Sequence, residues 1–205
     1  MGRKRNALLC ALVAYGGWQA PAVAQKAPTP SVGPFFLTLH VAGGTGLVAL
    51  GGGYRLAHQR LEPELLVGYL PRRLAGRPTA IITLKTTYLP FSPRLGHSRW
   101  ELSPAAFGGM INYTTGRQYF LTNNTAGRYR PGYYWWSSAV RIGAFIAPRL
   151  TVVGHSGGNY ASRTSLYSEL STNDLHLVSA LTNHALKLSD ILTLGVGVKR
   201  SEAKY

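Results

Sequence analysis

The sequence predicts an all-β protein, an antiparallel up-and-down transmembrane β-barrel of about eight strands, with ten strands as the alternative. Three observations predict this fold: segments of alternating apolar and polar residues, an N-terminus typical of exported proteins, and a composition of 24 glycines, 12 tyrosines and only 14% charged residues in 205. Such alternation is typical of a strand between two solvents, with lipid outside a barrel and a polar lumen inside. A soluble secreted β-barrel or sandwich that binds a ligand has a similar composition and stays an alternative.

The N-terminus is predicted to be a secretory signal peptide over residues 1–24. A basic start, a short apolar core over residues 7–15 and a small-x-small cleavage site that ends at Ala24 all match this class of segment. The apolar core is about half of the roughly 20 residues that a spanning helix needs. Cys10 is the only cysteine, so we expect no disulfide and no thiolate site after cleavage.

The barrel domain is predicted over residues 35–200, after an extended N-terminal lead (25–34) and before a short charged tail (201–205). The alternating segments are 35–42, 47–56, 64–70, 79–91, 100–113, 133–146, 150–154, 164–170 and 191–199. Residues 175–182 fit either a strand or a short helix. Pro104 predicts a bend or bulge in the fifth segment, and Pro148 with Arg149 predicts a turn.

The formal charge of +15 first suggests a nucleic-acid partner. The arginines, however, are spread over predicted turns, and an exported protein meets little nucleic acid. We therefore expect the partners to be outer-membrane lipids, with the phosphates of lipopolysaccharide among them, and no nucleic acid. A merely solvated basic surface is the competing interpretation.

Charged residues on the polar faces of the strands are predicted to lie in the lumen. They are Glu64, Lys85, Glu101, Arg141 and Glu169. Side chains fill the interior of a small barrel, and buried charges have to be paired. A lumenal ion-pair network that acts as a polar plug is therefore expected.

An aromatic run opens the segment over residues 133–146. It consists of Tyr133, Tyr134, Trp135 and Trp136. Tyrosine and tryptophan concentrate where a membrane meets water, so the run is interpreted as part of an interfacial girdle. The alternative is an aromatic core cluster of a soluble sandwich.

Catalytic chemistry has one candidate set, formed by His155, Ser156 and Glu169. A serine, a histidine and an acid could form an acyl hydrolase that acts on lipid A or phospholipid. Adjacent strand residues point to opposite faces, so His155 and Ser156 are poorly placed to share a proton. We therefore favour a non-enzymatic role in structure, adhesion or lipid binding. The histidines are scattered without the spacing of a metal site, so neither a metal nor a cofactor is expected.

Three stretches of the C-terminal half resemble a family of outer-membrane β-barrel proteins of Gram-negative bacteria with no assigned activity. They are residues 131–138 (Pro-Gly-Tyr-Tyr-Trp-Trp-Ser-Ser) with 140–143 (Val-Arg-Ile-Gly), residues 168–175 (Ser-Glu-Leu-Ser-Thr-Asn-Asp-Leu) and residues 188–192 (Leu-Ser-Asp-Ile-Leu). The resemblance implies a barrel located in the outer membrane. It implies no catalytic residues.

Overall fold

The computed structural model describes residues 35–121, 137–155, 160–182 and 187–204. The predicted signal peptide (1–24) and lead (25–34) lie outside the described residues. So do Ser156 and the predicted girdle residues, which are Tyr133, Tyr134, Trp135 and Trp136.

Ten strand segments form one antiparallel sheet. They are β1 (Phe35–Ala42), β2 (Val48–Tyr54), β3 (Leu61–Leu70), β4 (Thr79–Tyr88), β5 (Trp100–Ser103), β6 (Phe107–Thr114), β7 (Val140–Ile146), β8 (Arg149–His155), β9 (Tyr160–Asn173) and β10 (Thr193–Lys204). The helical elements are a 3₁₀ turn (Gly43–Thr45), α1 (Arg72–Ala75), α2 (Asp174–Thr182) and α3 (Leu188–Ile191). In the described part of the chain, every helix is too short or too polar to cross a bilayer.

The sheet closes into a barrel because β10 pairs with β9 on one side and with β1 on the other. Two barrel strands are built from two segments each. β5 and β6 follow one another along the fifth barrel strand, and β7 and β8 along the sixth. The barrel therefore has eight strands, which confirms the predicted all-β barrel and its strand number.

The sixth barrel strand differs from the prediction at Pro148. Ile146 pairs with Leu170 and Arg149 with Tyr167, so β7 and β8 keep one register along β9. Proline lacks only the N–H donor, and its carbonyl still accepts a hydrogen bond from the Ser168 N–H at 3.2 Å. The predicted turn at Pro148 and Arg149 is therefore wrong.

The last strand is longer than the sequence pattern predicts. β10 runs to Lys204, and Ser201 pairs with Arg163 of β9. Ser201 is buried and Glu202 is exposed, so the alternation of the strand continues into the residues that were assigned to a charged tail. Polar residues at outward positions conceal this continuation, because the apolar side of the pattern stops at Val198.

The barrel is apolar outside and polar inside. Leu37, Leu50 and Leu194 are each more than 60% exposed, whereas Lys85 and Glu169 are at most 1% exposed. This distribution reverses that of a soluble protein, whose interior collects the apolar side chains. It also agrees with the faces that the alternation predicts.

Both the start of β1 and the end of β10 lie at one end of the barrel, which we call the terminal end. The connections 55–60 and 89–99 also lie there. The opposite end, called the loop end, carries the connections 43–47 and 71–78 and the described parts of the connections 115–139 and 174–192. The 3₁₀ turn of the first of these folds into the lumen, where Thr45 is fully buried and the Asn112 side-chain amide donates to the Gly44 carbonyl at 3.1 Å.

Candidate functional site: a charged lumen and an arginine rim

Glu62 on β3 is the most heavily paired residue of the lumen. Its Oε1 accepts a hydrogen bond from Arg55 Nε at 3.1 Å, and its Oε2 accepts from Arg149 at 2.8 Å and from Lys199 Nζ at 3.0 Å. All four side chains are at most 6% exposed. A carboxylate can accept several donors at once, so one glutamate holds three cations from three different parts of the wall.

Glu64 continues the network along the same strand. Its Oε1 accepts from Lys199 Nζ at 2.9 Å, and its Oε2 accepts from the Thr38 hydroxyl at 2.9 Å. Lys85 Nζ lies 3.7 Å from Glu64 and forms a hydrogen bond with Glu169. Glu62, Lys199, Glu64, Lys85 and Glu169 thus form one continuous chain of alternating charge across the lumen.

Aromatic rings pack against the two lysines of this chain. Lys85 Nζ lies 4.5 Å from the ring centre of Phe145, and Lys199 Nζ lies 4.8 Å from that of Phe36. The Tyr167 ring lies 5.2 Å and 5.5 Å from the same two ammonium groups. An ammonium over an aromatic face is attracted by the ring, so these rings help to hold desolvated cations in place.

Two glycines of β10 make room for the ring pair behind the network. His40 Nδ1 and the Tyr167 hydroxyl are 2.8 Å apart. A Cβ atom at Gly195 would lie 2.6 Å from His40 Nε2, and one at Gly197 would lie 2.4 Å from the Tyr167 ring. Glycine at these positions is therefore a consequence of the close approach of two inward rings to the backbone of β10.

The network neutralises nearly all the charge that it buries. Three glutamates (Glu62, Glu64 and Glu169) meet four cations (Arg55, Lys85, Arg149 and Lys199). A buried ion without a partner costs several kcal/mol in folding, roughly, so each of these charges depends on the others. The arrangement fills the middle of the lumen with side chains that are tied to one another.

Only some of the predicted lumenal residues come together. Glu64, Lys85 and Glu169 share the network. Glu101 lies near the terminal end, where it accepts from Arg163 at 2.6 Å and from Arg94 at 3.3 Å. Arg141 lies near the loop end, where it donates to the Ser137 carbonyl at 3.0 Å and lies 3.7 Å from Asp174.

Sequence reasoning missed four members of the network. They are Arg55, Glu62, Arg149 and Lys199. The signal was present in the alternation. Glu62 lies on the same strand face as Glu64, and Lys199 lies on the same face as Gly195 and Gly197. Arg149 was hidden because the proline before it suggested a turn.

The candidate hydrolase residues are far apart. His155 pairs with Ala161 on β9, and Glu169 lies eight residues further along the same strand. At a rise of roughly 3.3 Å per residue this corresponds to about 26 Å. Glu169 is also bound to Lys85 in the lumen. The geometry therefore does not assemble Glu169 as the acid of a catalytic set with His155.

A second charged feature lies on the surface of the loop end. We call Arg72, Arg73, Arg77 and Arg117 the arginine rim. Arg72, Arg77 and Arg117 line an open cleft of about 490 Å³ between the connections 71–78 and 115–139. All four side chains of the rim are exposed, in contrast to the arginines of the lumen.

Local chemistry explains the shape of this rim. α1 begins after Pro71 and ends at Ala75, and the following Gly76 has a φ of 72°, the left-handed conformation favoured just after helix C-termini. The Thr115 N–H donates to the Ala80 carbonyl at 2.9 Å, and the Ala80 N–H donates to the Thr115 hydroxyl at 3.1 Å. These bonds tie the second connection to the base of the first, so the cleft has a fixed floor.

Among the described residues, no group of three or more His, Cys, Asp or Glu side chains is arranged to hold a metal ion. Searches against protein-family models, curated proteins and solved structures found no match.

Proposed function

We propose that this protein is an integral outer-membrane β-barrel whose lumen is closed by ion pairs, with a structural or lipid-binding role instead of a catalytic one. The observation that carries the proposal is the reversal of polarity across the wall. Leu39, Leu50 and Val67 lie side by side on neighbouring strands and point outward, while Glu64 and Lys85 lie side by side and point inward.

Free energy of solvation favours lipid as the outer solvent. Each outward leucine or valine that stays in water forfeits about 1.5–3 kcal/mol relative to an apolar environment, and every barrel strand carries such residues. A soluble barrel that binds an apolar ligand would instead need an apolar cavity. Here ion-paired glutamates, lysines and arginines cross the interior, with aromatic rings packed against them.

Aromatic side chains at both ends of the wall support the same proposal. Tyr69 and Tyr113 are exposed at the loop end, and Tyr54, Tyr88 and Trp100 are exposed at the terminal end. The exposed apolar side chains between them are mostly aliphatic. Two aromatic girdles around an aliphatic band are typical of barrels that span a bilayer.

The connections support an orientation. The loop end carries the two longest connections, residues 115–139 and 174–192. Outer-membrane barrels have short periplasmic turns and longer extracellular loops. The loop end is therefore assigned to the cell exterior and the terminal end to the periplasm.

Cell fractionation tests the location. The full chain, expressed in a Gram-negative host, is expected in the outer-membrane fraction after a urea wash, and the unheated protein should migrate differently from the boiled one on a denaturing gel. Recovery as a soluble periplasmic protein would overturn the proposal.

Conductance tests the closed lumen. Because the ion-pair network crosses the barrel interior, the purified protein is expected to produce no stepwise current in a planar lipid bilayer. A general porin in the same bilayer is the positive control. Regular single-channel steps from this protein would show that the lumen is open.

A further inference from the structure

Arg72, Arg73 and Arg77 of the arginine rim carry charges that no carboxylate of the described residues neutralises. The chain has seven acidic residues, and all of them lie in the described part. Four are in the barrel interior or near its terminal end. Of the other three, Asp174 pairs with Arg141 of β7, Asp190 accepts a hydrogen bond from the Lys187 N–H, and Glu202 pairs with Arg200 of β10. None of the described carboxylates forms an ion pair with Arg72, Arg73 or Arg77.

The position of the rim indicates which kind of anion it would meet. Tyr69 and Tyr113 mark the outward aromatic positions directly below the connections that carry the rim. The cleft therefore opens beside the level where the headgroups of the surrounding lipid would lie. A phosphate carried on a lipid is present there at high local concentration.

An apolar side chain lies among the charges. Leu74 of α1 is 64% exposed and stands between Arg73 and the C-terminal end of the helix. Free phosphate has no apolar group that could contact this side chain, whereas a phospholipid or glycolipid has acyl chains. Guanidinium groups bind phosphate oxygens through paired N–H donors, and they keep their charge at every physiological pH.

We infer that the arginine rim is a binding site for a phosphate-bearing glycolipid of the outer leaflet, with the lipid A moiety of lipopolysaccharide as its occupant. Arg72 and Arg77 bind the phosphate in the cleft, and Leu74 contacts an acyl chain. This inference rests on the proposed location in the outer membrane.

Binding of fluorescently labelled lipid A to the full chain in detergent micelles, followed by anisotropy, tests the site. The R72Q/R77Q variant is expected to lower the affinity at least about tenfold. The matched control is R60Q/R99Q, which removes two exposed arginines from the terminal end and should change the affinity less than about twofold. An equal loss in both variants would mean diffuse attraction and would overturn the site.

Two ligand controls identify the source of the phosphate. Dephosphorylated lipid A is expected to bind at least about tenfold more weakly than the phosphorylated form, and millimolar inorganic phosphate should not displace the bound lipid. Equal binding of both lipid A forms would overturn the role of the phosphate. Complete displacement by inorganic phosphate would identify a simple anion site and overturn the lipid assignment.

Gel mobility and cell fractionation report the folding of the variant and the location of the protein separately from lipid binding. Heat-modifiable gel mobility reports whether the R72Q/R77Q variant folds. If the variant does not fold, the comparison of the two lipid A forms on the unaltered protein tests the site. A protein that fractionates with the outer membrane but binds no lipid A overturns this inference alone. A soluble protein overturns the proposed function as well.

Discussion

The cations of the lumen and those of the arginine rim have opposite environments. Arg149 and Lys199 are at most 4% exposed, and both bond to Glu62. Arg72 and Arg77 are exposed on a connection, and no described carboxylate pairs with them. The first pair is held by the fold, whereas the second pair is available to a ligand.

The excess of basic residues therefore lies outside the lumen. Three glutamates (Glu62, Glu64 and Glu169) meet four cations in the lumen, so the buried network is close to neutral. Buried charges have to be paired, whereas exposed arginines do not. Nearly all of the net positive charge of the chain is therefore left to the residues outside the network.

The largest effect is expected from Glu62→Gln, because it leaves Arg55, Arg149 and Lys199 without their shared carboxylate. The free energy of unfolding in lipid vesicles, measured by denaturant titration, should fall by about 3–5 kcal/mol. Glu202→Gln is the control, since its side chain is 47% exposed and pairs with the exposed Arg200. Its effect should stay below about 1 kcal/mol. Equal effects of the two substitutions would remove the distinction between lumenal and surface charges.

A charge placed on the outer wall should have the next largest effect. Leu50 is 61% exposed and lies between Leu39 and Val67 on the neighbouring strands. If lipid surrounds this face, Leu50→Arg should lower the free energy of unfolding in vesicles by about 2–4 kcal/mol. Leu74→Arg, at an equally exposed position outside the wall, should change it by less than about 0.5 kcal/mol. Two small effects would argue for water outside the barrel.

Gly197→Ala tests how tightly the lumen is packed. The added Cβ would lie 2.4 Å from the Tyr167 ring, so the ring beside Lys199 and Lys85 has to move. A loss of about 1–3 kcal/mol in the free energy of unfolding is expected. Gly109→Ala is the control, because its Cβ would meet only the Gly143 carbonyl at 3.7 Å. If both substitutions are neutral, the interior is looser than the contacts indicate.

The smallest effect is expected from R72Q/R77Q. Neither arginine contributes an ion pair within the described residues, so the free energy of unfolding should change by less than about 0.5 kcal/mol. Denaturant titration in vesicles that lack lipopolysaccharide provides the measurement. A loss as large as that of Glu62→Gln would place these arginines in the stabilising framework of the barrel.

The faces of the strands could be predicted from the sequence because successive strand residues point to opposite sides. Glu64 and Lys85 were placed inside on this basis, and they prove to be direct neighbours on β3 and β4. The same pattern predicts the barrel, with eight strands favoured over ten, although it divides the sixth barrel strand at Pro148.

Partners across the lumen could not be predicted in this way. Arg149 and Glu62 are 87 residues apart in the chain, and their contact depends on the curvature of the closed sheet. Glu101 and Arg141 are at inward positions of their strands, but they lie near opposite ends of the barrel. Alternation predicts the face of the strand on which a residue lies, but not its position along the barrel axis.

The junction between the fifth and sixth barrel strands restricts how the two strands can be aligned. Between the pairs Ser103–Arg149 and Phe107–Ile146, three residues on one strand face two on the other. Pro104 lies in this mismatch, where the ladder between the two strands is interrupted. A shift of either strand by one residue would turn its inward side chains to the outside. The unequal count at the junction therefore fixes one alignment of the two strands.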